Sequence, residues 1–208
     1  MSSPTTAALP DDRIAGVVIA GGRSVRFGGE KAAALLGERP LLLWAAERLQ
    51  RTCRVVAVNA RAGTEAESLA QGAGLTVLHD DTGDATGPLA GVKVGLRWAR
   101  NLGMHSLAVS PCDVPLLPDD LFSRLIEAAR GGAAMAVTAD GRQPLCALWP
   151  VAALDAVSAA LAGGAHPPTW QVLESVGAVP VKFEDGAAFA NVNTREDLAR
   201  LAQRLYQR

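Results

Sequence analysis

Residues 14–31 read IAGVVIAGGRSVRFGGEK, and this stretch decides the fold class. Its first part is a short, apolar, β-branched run that predicts a buried strand from Ile14 to Ala20. Its second part interleaves four glycines with Arg23, Arg26 and Lys31, which predicts a loop at the carboxyl end of that strand. A strand that runs into a glycine-rich, cationic loop is typical of α/β proteins that bind phosphates.

The rest of the chain alternates apolar runs with helical patterns. Further strands are predicted at Val55 to Asn59, Leu75 to His79, Ser106 to Ser110, Ala134 to Thr138 and Pro144 to Trp149. Helices are predicted at Leu41 to Arg51, Gly87 through Trp98, around Leu121 to Ile126, Val151 to about Leu161, and Thr194 to Arg208, the last capped by Thr194 and Asp197. This order predicts an α/β, three-layer fold with a mostly parallel, Rossmann-like central sheet. We expect one domain over 13–208, a disordered tail over 1–12, and a loop over 163–169.

Composition narrows the class of protein. The 208 residues are 49% hydrophobic and 20% charged, with a net charge of −1, which indicates a globular protein with no overall attraction to nucleic acid. No apolar stretch approaches the roughly 18 residues of a membrane span, and the first residues do not resemble a signal peptide, so we expect a cytoplasmic protein without a membrane partner. The three cysteines, Cys53, Cys112 and Cys146, are widely spaced, which favours free thiols over a zinc site.

The cationic loop suits a triphosphate. Its glycines, Gly21 and Gly22 among them, let backbone N–H groups approach phosphate oxygens, and Arg23, Arg26 and Lys31 can neutralise the charge. The spacing matches neither the P-loop nor G-x-G-x-x-G, which disfavours a P-loop kinase and a dinucleotide-dependent dehydrogenase. The alternative is a surface turn with solvated charges.

A second strand end carries a carboxylate between prolines. Residues 110–115 read SPCDVP, so Asp113 is predicted to project from the carboxyl edge of the sheet. Mg²⁺ is usually held by one or two carboxylates together with substrate phosphates, and Asp113 opposite a cationic loop fits that role. The alternative is an aspartate that merely forms a turn.

Two further strand ends and one helix start are predicted at the same carboxyl edge of the sheet. His79-Asp80-Asp81 follows one strand, and Gly87-Pro88-Leu89-Ala90-Gly91 begins the next helix. The acidic pair is either a ligand contact or a helix-entry feature. Asn59 ends another strand, where its amide either reads a base edge or caps a turn.

Together these motifs resemble those of the molybdenum cofactor guanylyltransferase family, which are MobA-like nucleotidyltransferases. The matching motifs are Ile19-Ala20-Gly21-Gly22-x-Ser24-x-Arg26-x-Gly28-x-x-Lys31, Gly87-Pro88-Leu89-Ala90-Gly91, Pro111-Cys112-Asp113-x-Pro115, Pro144-Leu145-x-Ala147-Leu148-Trp149 and Phe189-x-Asn191-Val192-Asn193-Thr194. They span roughly residues 14 to 200. Their order along the chain is more specific than any single glycine loop.

The resemblance implies transfer of GMP from Mg-GTP to molybdopterin carrying molybdenum, with release of pyrophosphate. It implies contacts to the nucleotide through the backbone of Ile19, Ala20 and Gly21, contacts at Lys31, Asn59 and Asp80, and binding of both Mg²⁺ and nucleotide at Asp113. From the cationic loop, Gly22 and Arg23 are predicted as further nucleotide contacts, and the predicted catalytic residues are Lys31, Arg26 and Asp113. The choice of Asp80 over Asp81 rests on the spacing to Gly87. GTP and the molybdopterin cofactor are the implied small-molecule partners, and a protein that delivers the cofactor or receives it is a further expected partner.

The chain departs from the family pattern in its C-terminal half. Gln143 stands where a histidine often precedes Pro-Leu, and Gly163 to Trp170 lacks the arginines often found there. These departures concern the half expected to face the acceptor. The alternatives are a cytidylyltransferase acting on the same pterin, a guanylyltransferase with another small phosphorylated acceptor, and a nucleotide-binding module without turnover.

Overall fold

A seven-stranded sheet forms the centre of the structure, a computed structural model that describes residues 13–21, 27–81 and 87–205. The strands are β1 Ile14–Ile19, β2 Leu35–Leu36, β3 Arg39–Pro40, β4 Val55–Asn59, β5 Thr76–Leu78, β6 Ser106–Pro111, β7 Ala134–Thr138, β8 Gly141–Pro150 and β9 Val179–Lys182. The helices are α1 Leu41–Gln50, α2 Glu65–Gly72, α3 Pro88–Asn101, α4 Leu121–Ala129, α5 Leu154–Ala160, α6 Thr169–Ser175 and α7 Arg195–Leu205. Short 3-10 helices cover Lys31–Ala33, Val151–Ala153, Ala162–Gly164 and Gly186–Phe189.

The strand order is β5-β4-β1-β6-β8-β7-β9, and β2 and β3 form a separate hairpin. β1 pairs in parallel with both β4 and β6, whereas β8 runs antiparallel to β6 and β7. The mostly parallel sheet is thereby confirmed. The chain leaves β1 toward β4 and β5 and then returns to the other side at β6, so the strand order reverses between β1 and β6. Ligands bind at such a reversal, beyond the carboxyl ends of the strands.

Apolar side chains on the two faces of the sheet build two separate cores. Along β1, Ile14 and Val18 face one core, and Val17 and Ile19 face the other, as the two-residue period of a strand requires. The first core packs under α1, α2 and α4, and the second under α3, α5 and α6. This gives the three layers that the sequence predicts. A third, smaller cluster packs α7 against the hairpin and Phe27.

Most predicted elements are confirmed, with boundaries shifted by a few residues. β4 and β7 have the predicted bounds, and β5 is shorter than predicted by a residue at each end. β8 begins three residues earlier than predicted, at Gly141, because only two residues separate it from β7, and so short a connection requires an antiparallel hairpin. Residues 163–169, predicted to be a loop, contain part of a 3-10 helix and the first residue of α6, because prolines are compatible with the start of a helix.

The start of α7 is capped as the sequence predicts. Thr194 Oγ1 accepts a hydrogen bond from the Asp197 N–H at 3.1 Å, and Asp197 Oδ2 accepts one from the Thr194 N–H at 2.8 Å. The predicted tail over 1–12 and the end of the last helix at Arg208 lie outside the described residues. None of the helices in the described ranges is long and apolar enough to cross a membrane.

Candidate active site

The glycine loop leaves β1 at the point where the strand order reverses. The Ala20 N–H donates to the Asn59 carbonyl at 2.9 Å, and the Cys112 N–H donates to the Ile19 carbonyl at 3.2 Å, which holds the strand end between β4 and β6. Ile19 and Ala20 are buried, so their side chains offer little surface to a ligand beyond the strand end. Gly22, Arg23 and Arg26, all predicted site residues, lie outside the described residues.

Lys31 and Asp113 meet across this reversal. Lys31 Nζ donates to Asp113 Oδ2 at 2.9 Å and to Asn193 Oδ1 at 3.0 Å. The two charged side chains are 14% and 23% exposed, so their ion pair is mostly shielded but open on one side. The structure therefore brings together two of the predicted catalytic residues, from the loop after β1 and the turn after β6.

Asn193, which lies in the Phe189 to Thr194 motif but was not predicted as a site residue, completes this cluster. The Val192 N–H donates to the Asp113 carbonyl at 2.8 Å and ties the segment before α7 to the end of β6. The Asn193 N–H donates to Asp197 Oδ2 at 2.9 Å. Hydrogen bonds from the Asn193 and Thr194 N–H groups hold the pKa of Asp197 below its ordinary value. The sequence signal that could have identified Asn193 is its position directly before Thr194, the predicted cap of the last helix.

Asn59 and Asp80 form a second polar pair at the same edge. The Asn59 side chain is buried, and its Nδ2 donates to Asp80 Oδ1 at 2.8 Å and to the Leu78 carbonyl at 3.3 Å. One Asp80 oxygen is thus engaged by Asn59, and the other can accept a hydrogen bond from a ligand. Asn59 therefore orients Asp80, and its amide nitrogen is already used within the protein.

The fold distinguishes Asp80 from its neighbour Asp81. Arg97 of α3 donates to Asp81 through both terminal nitrogens, at 2.7 and 2.6 Å, and Lys93 lies 3.3 Å from the same carboxylate. The hydrogen bonds from Arg97, followed by those from Lys93, lower the pKa of Asp81 to about 2. Asp81 fastens the end of β5 to α3, which leaves Asp80 as the acid that turns toward Asn59.

The Gly87 to Gly91 motif owes two of its glycines to local geometry. Gly87, just before α3, has a φ of +147°, which side chains rarely adopt, and Pro88 follows at the first helical position. A Cβ atom on Gly91 would lie 2.3 Å from Asn59 Oδ1 and 2.9 Å from Ile19 Cδ1. Gly91 therefore allows α3 to approach the strand ends closely enough for Asn59 to take its position.

A cavity of about 210 Å³ opens beside Asp113 on the side of β8. Its lining residues are Pro111, Asp113, Val114, Gln143, Leu145, Cys146, Asn191 and Asn193. Gln143, one of the departures from the family pattern, lies at this cavity and its Nε2 donates to Thr138 Oγ1 at 3.3 Å. The polar part of the lining is thus one carboxylate and three carboxamides.

None of the three cysteines is activated. Burial raises the pKa of both Cys53 and Cys112 to about 12 and raises the pKa of Cys146 as well, and all three thiols are free. Cys112 precedes Asp113, whose negative charge raises the pKa of that thiol further. These thiols stay protonated near neutral pH and are unsuited to nucleophilic catalysis.

Comparisons with known proteins identify the family and the fold. A family model described as the MobA-like NTP transferase domain matches residues 16–178. A molybdenum cofactor guanylyltransferase of Cereibacter sphaeroides is 41% identical over 189 residues, which cover 90% of this chain and 95% of that protein. The solved structure of molybdopterin-guanine dinucleotide biosynthesis protein A from Archaeoglobus fulgidus superposes with a TM-score of 0.75 at 24% identity, covering 93% of this chain and 100% of that one. The structure of 2-C-methyl-D-erythritol 4-phosphate cytidylyltransferase from Thermus thermophilus shares the fold, with a TM-score of 0.66 at 21% identity over 92% of this chain and 98% of that one.

Proposed function

The chain belongs to the family of MobA-like NTP transferases, and from that premise we propose that it transfers GMP from GTP to molybdopterin carrying molybdenum, releasing pyrophosphate. The observation that carries the proposal is the contact between Lys31 and Asp113 at the strand-order reversal. A cation for phosphates and a carboxylate for a hard metal stand there within 2.9 Å of each other. Both are needed where a nucleoside triphosphate is cleaved.

On this proposal the triphosphate lies along the glycine loop. Backbone groups of Ile19, Ala20 and Gly21 approach the nucleotide, and Gly22, Arg23 and Arg26 continue the phosphate site. Lys31 can move its ammonium group from Asp113 to a phosphate oxygen without a change in the main chain, because its side chain is long and flexible. Its charge then stabilises the negative charge that builds up on the α-phosphate and the leaving pyrophosphate.

The donor set suits Mg²⁺. Among the described residues no group of three or more His, Cys, Asp or Glu side chains could hold a metal ion, so the ion would depend on Asp113 together with substrate oxygens. That is the usual arrangement for magnesium in nucleotide enzymes. When bound, Mg²⁺ supplies positive charge to the phosphates. The Asp113 backbone is fixed by the Val192 N–H, and its carboxylate can bind the ion once Lys31 moves from Oδ2 to the phosphates.

The acceptor approaches from the cavity beside Asp113. A phosphate oxygen of the acceptor is already ionised near neutral pH, so it attacks the α-phosphorus in line without a strong general base. The carboxamides of Gln143, Asn191 and Asn193 can donate and accept hydrogen bonds, which matches the polar edge of a pterin. The protonated cysteines agree with direct transfer rather than a covalent enzyme intermediate.

Asp80 and Asn59, at the ends of β5 and β4, select the nucleotide. The second oxygen of Asp80 can accept from a nucleotide N–H or hydroxyl group, while Asn59 holds the first. The cytidylyltransferase fold is the same, so a cytidylyltransferase acting on the pterin is the second candidate. The shared fold is compatible with either guanine or cytosine, and the relatives named guanylyltransferases favour GTP as the substrate.

Pyrophosphate release measured with GTP, magnesium and molybdopterin tests the proposal. We expect release with GTP that requires the acceptor, and much slower release when CTP replaces GTP. Faster release with CTP would support the second candidate. Binding of GTP without any release would instead support a nucleotide-binding module, and release with a different phosphorylated acceptor would reassign the acceptor.

A further inference from the structure

Glu30 directly precedes Lys31, and its side chain leaves the glycine loop for a helix elsewhere in the chain. Its Oε2 accepts a hydrogen bond from the backbone N–H of Glu65 at 2.5 Å, and its Oε1 accepts one from the N–H of Ala66 at 3.1 Å. Both N–H groups belong to the first turn of α2. The residue beside the phosphate lysine is therefore held by a helix start 35 residues away.

The first turn of α2 needs these acceptors. Thr64 caps the helix and accepts from the Glu67 N–H at 3.4 Å, and Glu67 Oε2 accepts from the Gly63 N–H at 2.6 Å. The N–H groups of Glu65 and Ala66 have no partner within a helix, as at every helix start. Glu30 supplies both acceptors, and its negative charge is favourable at the positive end of the helix dipole.

Glu30 also begins the 3-10 helix that carries Lys31. Its carbonyl accepts a hydrogen bond from the Ala33 N–H at 3.1 Å. Ala32, which directly follows Lys31, is buried, with an exposed fraction of 2%. The main chain around Lys31 is thus held by a buried side chain after it and by the Glu30 carboxylate before it. The long, flexible lysine side chain starts from a fixed point and reaches Asp113 and Asn193.

We propose that Glu30 is a positioning residue: it anchors the end of the glycine loop on α2 and so fixes the main chain from which the Lys31 ammonium group reaches Asp113 and, in the proposed function, the phosphates. This inference rests on the proposed function, in which Lys31 contacts the phosphates. Glu30 acts through Lys31 and not on the substrate. Without the Glu30 carboxylate the end of the loop is no longer held on α2. The Lys31 ammonium group then contacts the phosphates for a smaller fraction of the time.

Glu30→Ala and Glu30→Gln test the anchor, with Glu65→Gln as the matched control. Glu65→Gln removes a carboxylate from the same helix start but keeps the backbone N–H that Glu30 uses. We expect kcat/KM for GTP to fall about tenfold in Glu30→Ala, because Lys31 is then less often in contact with the phosphates, and to fall less in Glu30→Gln, whose amide oxygen still accepts one bond. Glu65→Gln should retain normal values, and hydrogen exchange should increase over residues 27–34 and 65–66 in Glu30→Ala alone.

A double-mutant cycle with Lys31→Ala separates positioning from general loss of stability. If Glu30 acts through Lys31, adding Glu30→Ala to Lys31→Ala should change kcat/KM by less than about twofold. The same tenfold loss in both backgrounds, or normal activity in Glu30→Ala beside an impaired Lys31→Ala, would overturn the positioning role and leave the proposed function standing. Normal activity in Lys31→Ala itself would refute the phosphate role of Lys31 and the positioning role with it.

Discussion

Replacing Asp113 by asparagine removes one charge from the proposed site and little else. The side chain keeps its shape and one oxygen, and the Asp113 carbonyl still accepts from the Val192 N–H at 2.8 Å. Lys31 keeps its hydrogen bond to Asn193 at 3.0 Å. We therefore expect Asp113→Asn to fold.

The expected effect on folding is small and the effect on transfer is large. The ion pair with Lys31 is partly solvated, since Asp113 is 23% exposed, so its loss should cost about 0.5–1.5 kcal/mol of stability. Transfer depends on the charge itself, because an amide oxygen is a weaker ligand for Mg²⁺ than a carboxylate. A lost charge-assisted contact is worth about 1.5–3 kcal/mol, which predicts a rate lower by about one to two decades.

Initial rates of pyrophosphate release over a magnesium titration measure this effect, with GTP binding measured separately by calorimetry in EDTA. In Asp113→Asn the half-saturating magnesium concentration should rise, and high magnesium should restore part of the rate, while GTP binding in EDTA changes much less. Asp155→Asn, an exposed acid on α5, is the matched control and should behave as wild type. A folded Asp113→Asn with normal turnover and unchanged magnesium dependence would refute the role of Asp113 as metal anchor.

Three further predictions concern the surrounding residues. Lys31→Ala should lower turnover by about one to two decades with little loss of stability, as judged by kcat and thermal unfolding, and wild-type turnover would mean that the loop arginines suffice. Gly91→Ala places a Cβ 2.3 Å from Asn59 Oδ1, so it should destabilise the fold by about 1–3 kcal/mol and weaken GTP binding. Gly95→Ala overpacks the same helix against apolar side chains and should destabilise without changing GTP affinity in the folded protein, so equal loss of affinity in both variants would contradict this account. The pKa of Asp81 falls from 3.8 to about 2 on folding, so its contribution is complete above about pH 4 and is lost as pH falls through 2. Asp81→Asn should accordingly cost about 1 kcal/mol after allowance for solvent screening, and urea unfolding at several pH values should show the difference from wild type vanishing toward pH 2.

Local pattern was sufficient to place the strands and the residues at their ends. The apolar run of β1 and the glycines after it determine a strand and a loop by themselves, because side-chain period and backbone freedom are local properties. Parallel strands have their carboxyl ends at one edge, so Lys31 and Asp113 were expected on the same side of the sheet. The capping of α7 by Thr194 and Asp197 was equally readable, since its atoms come from four consecutive residues.

Contacts between distant segments were decided only by the tertiary structure. Asn193 reaches Lys31 across 162 positions of sequence, and Glu30 reaches the start of α2 across 35. Asp80 and Asp81 are adjacent acids in the sequence, and they differ in the structure because Asn59 donates to Asp80 whereas α3 places Arg97 beside Asp81. Such contacts depend on strand order, register and helix approach, which arise from the packing of the whole core, and no local run of residues contains that information.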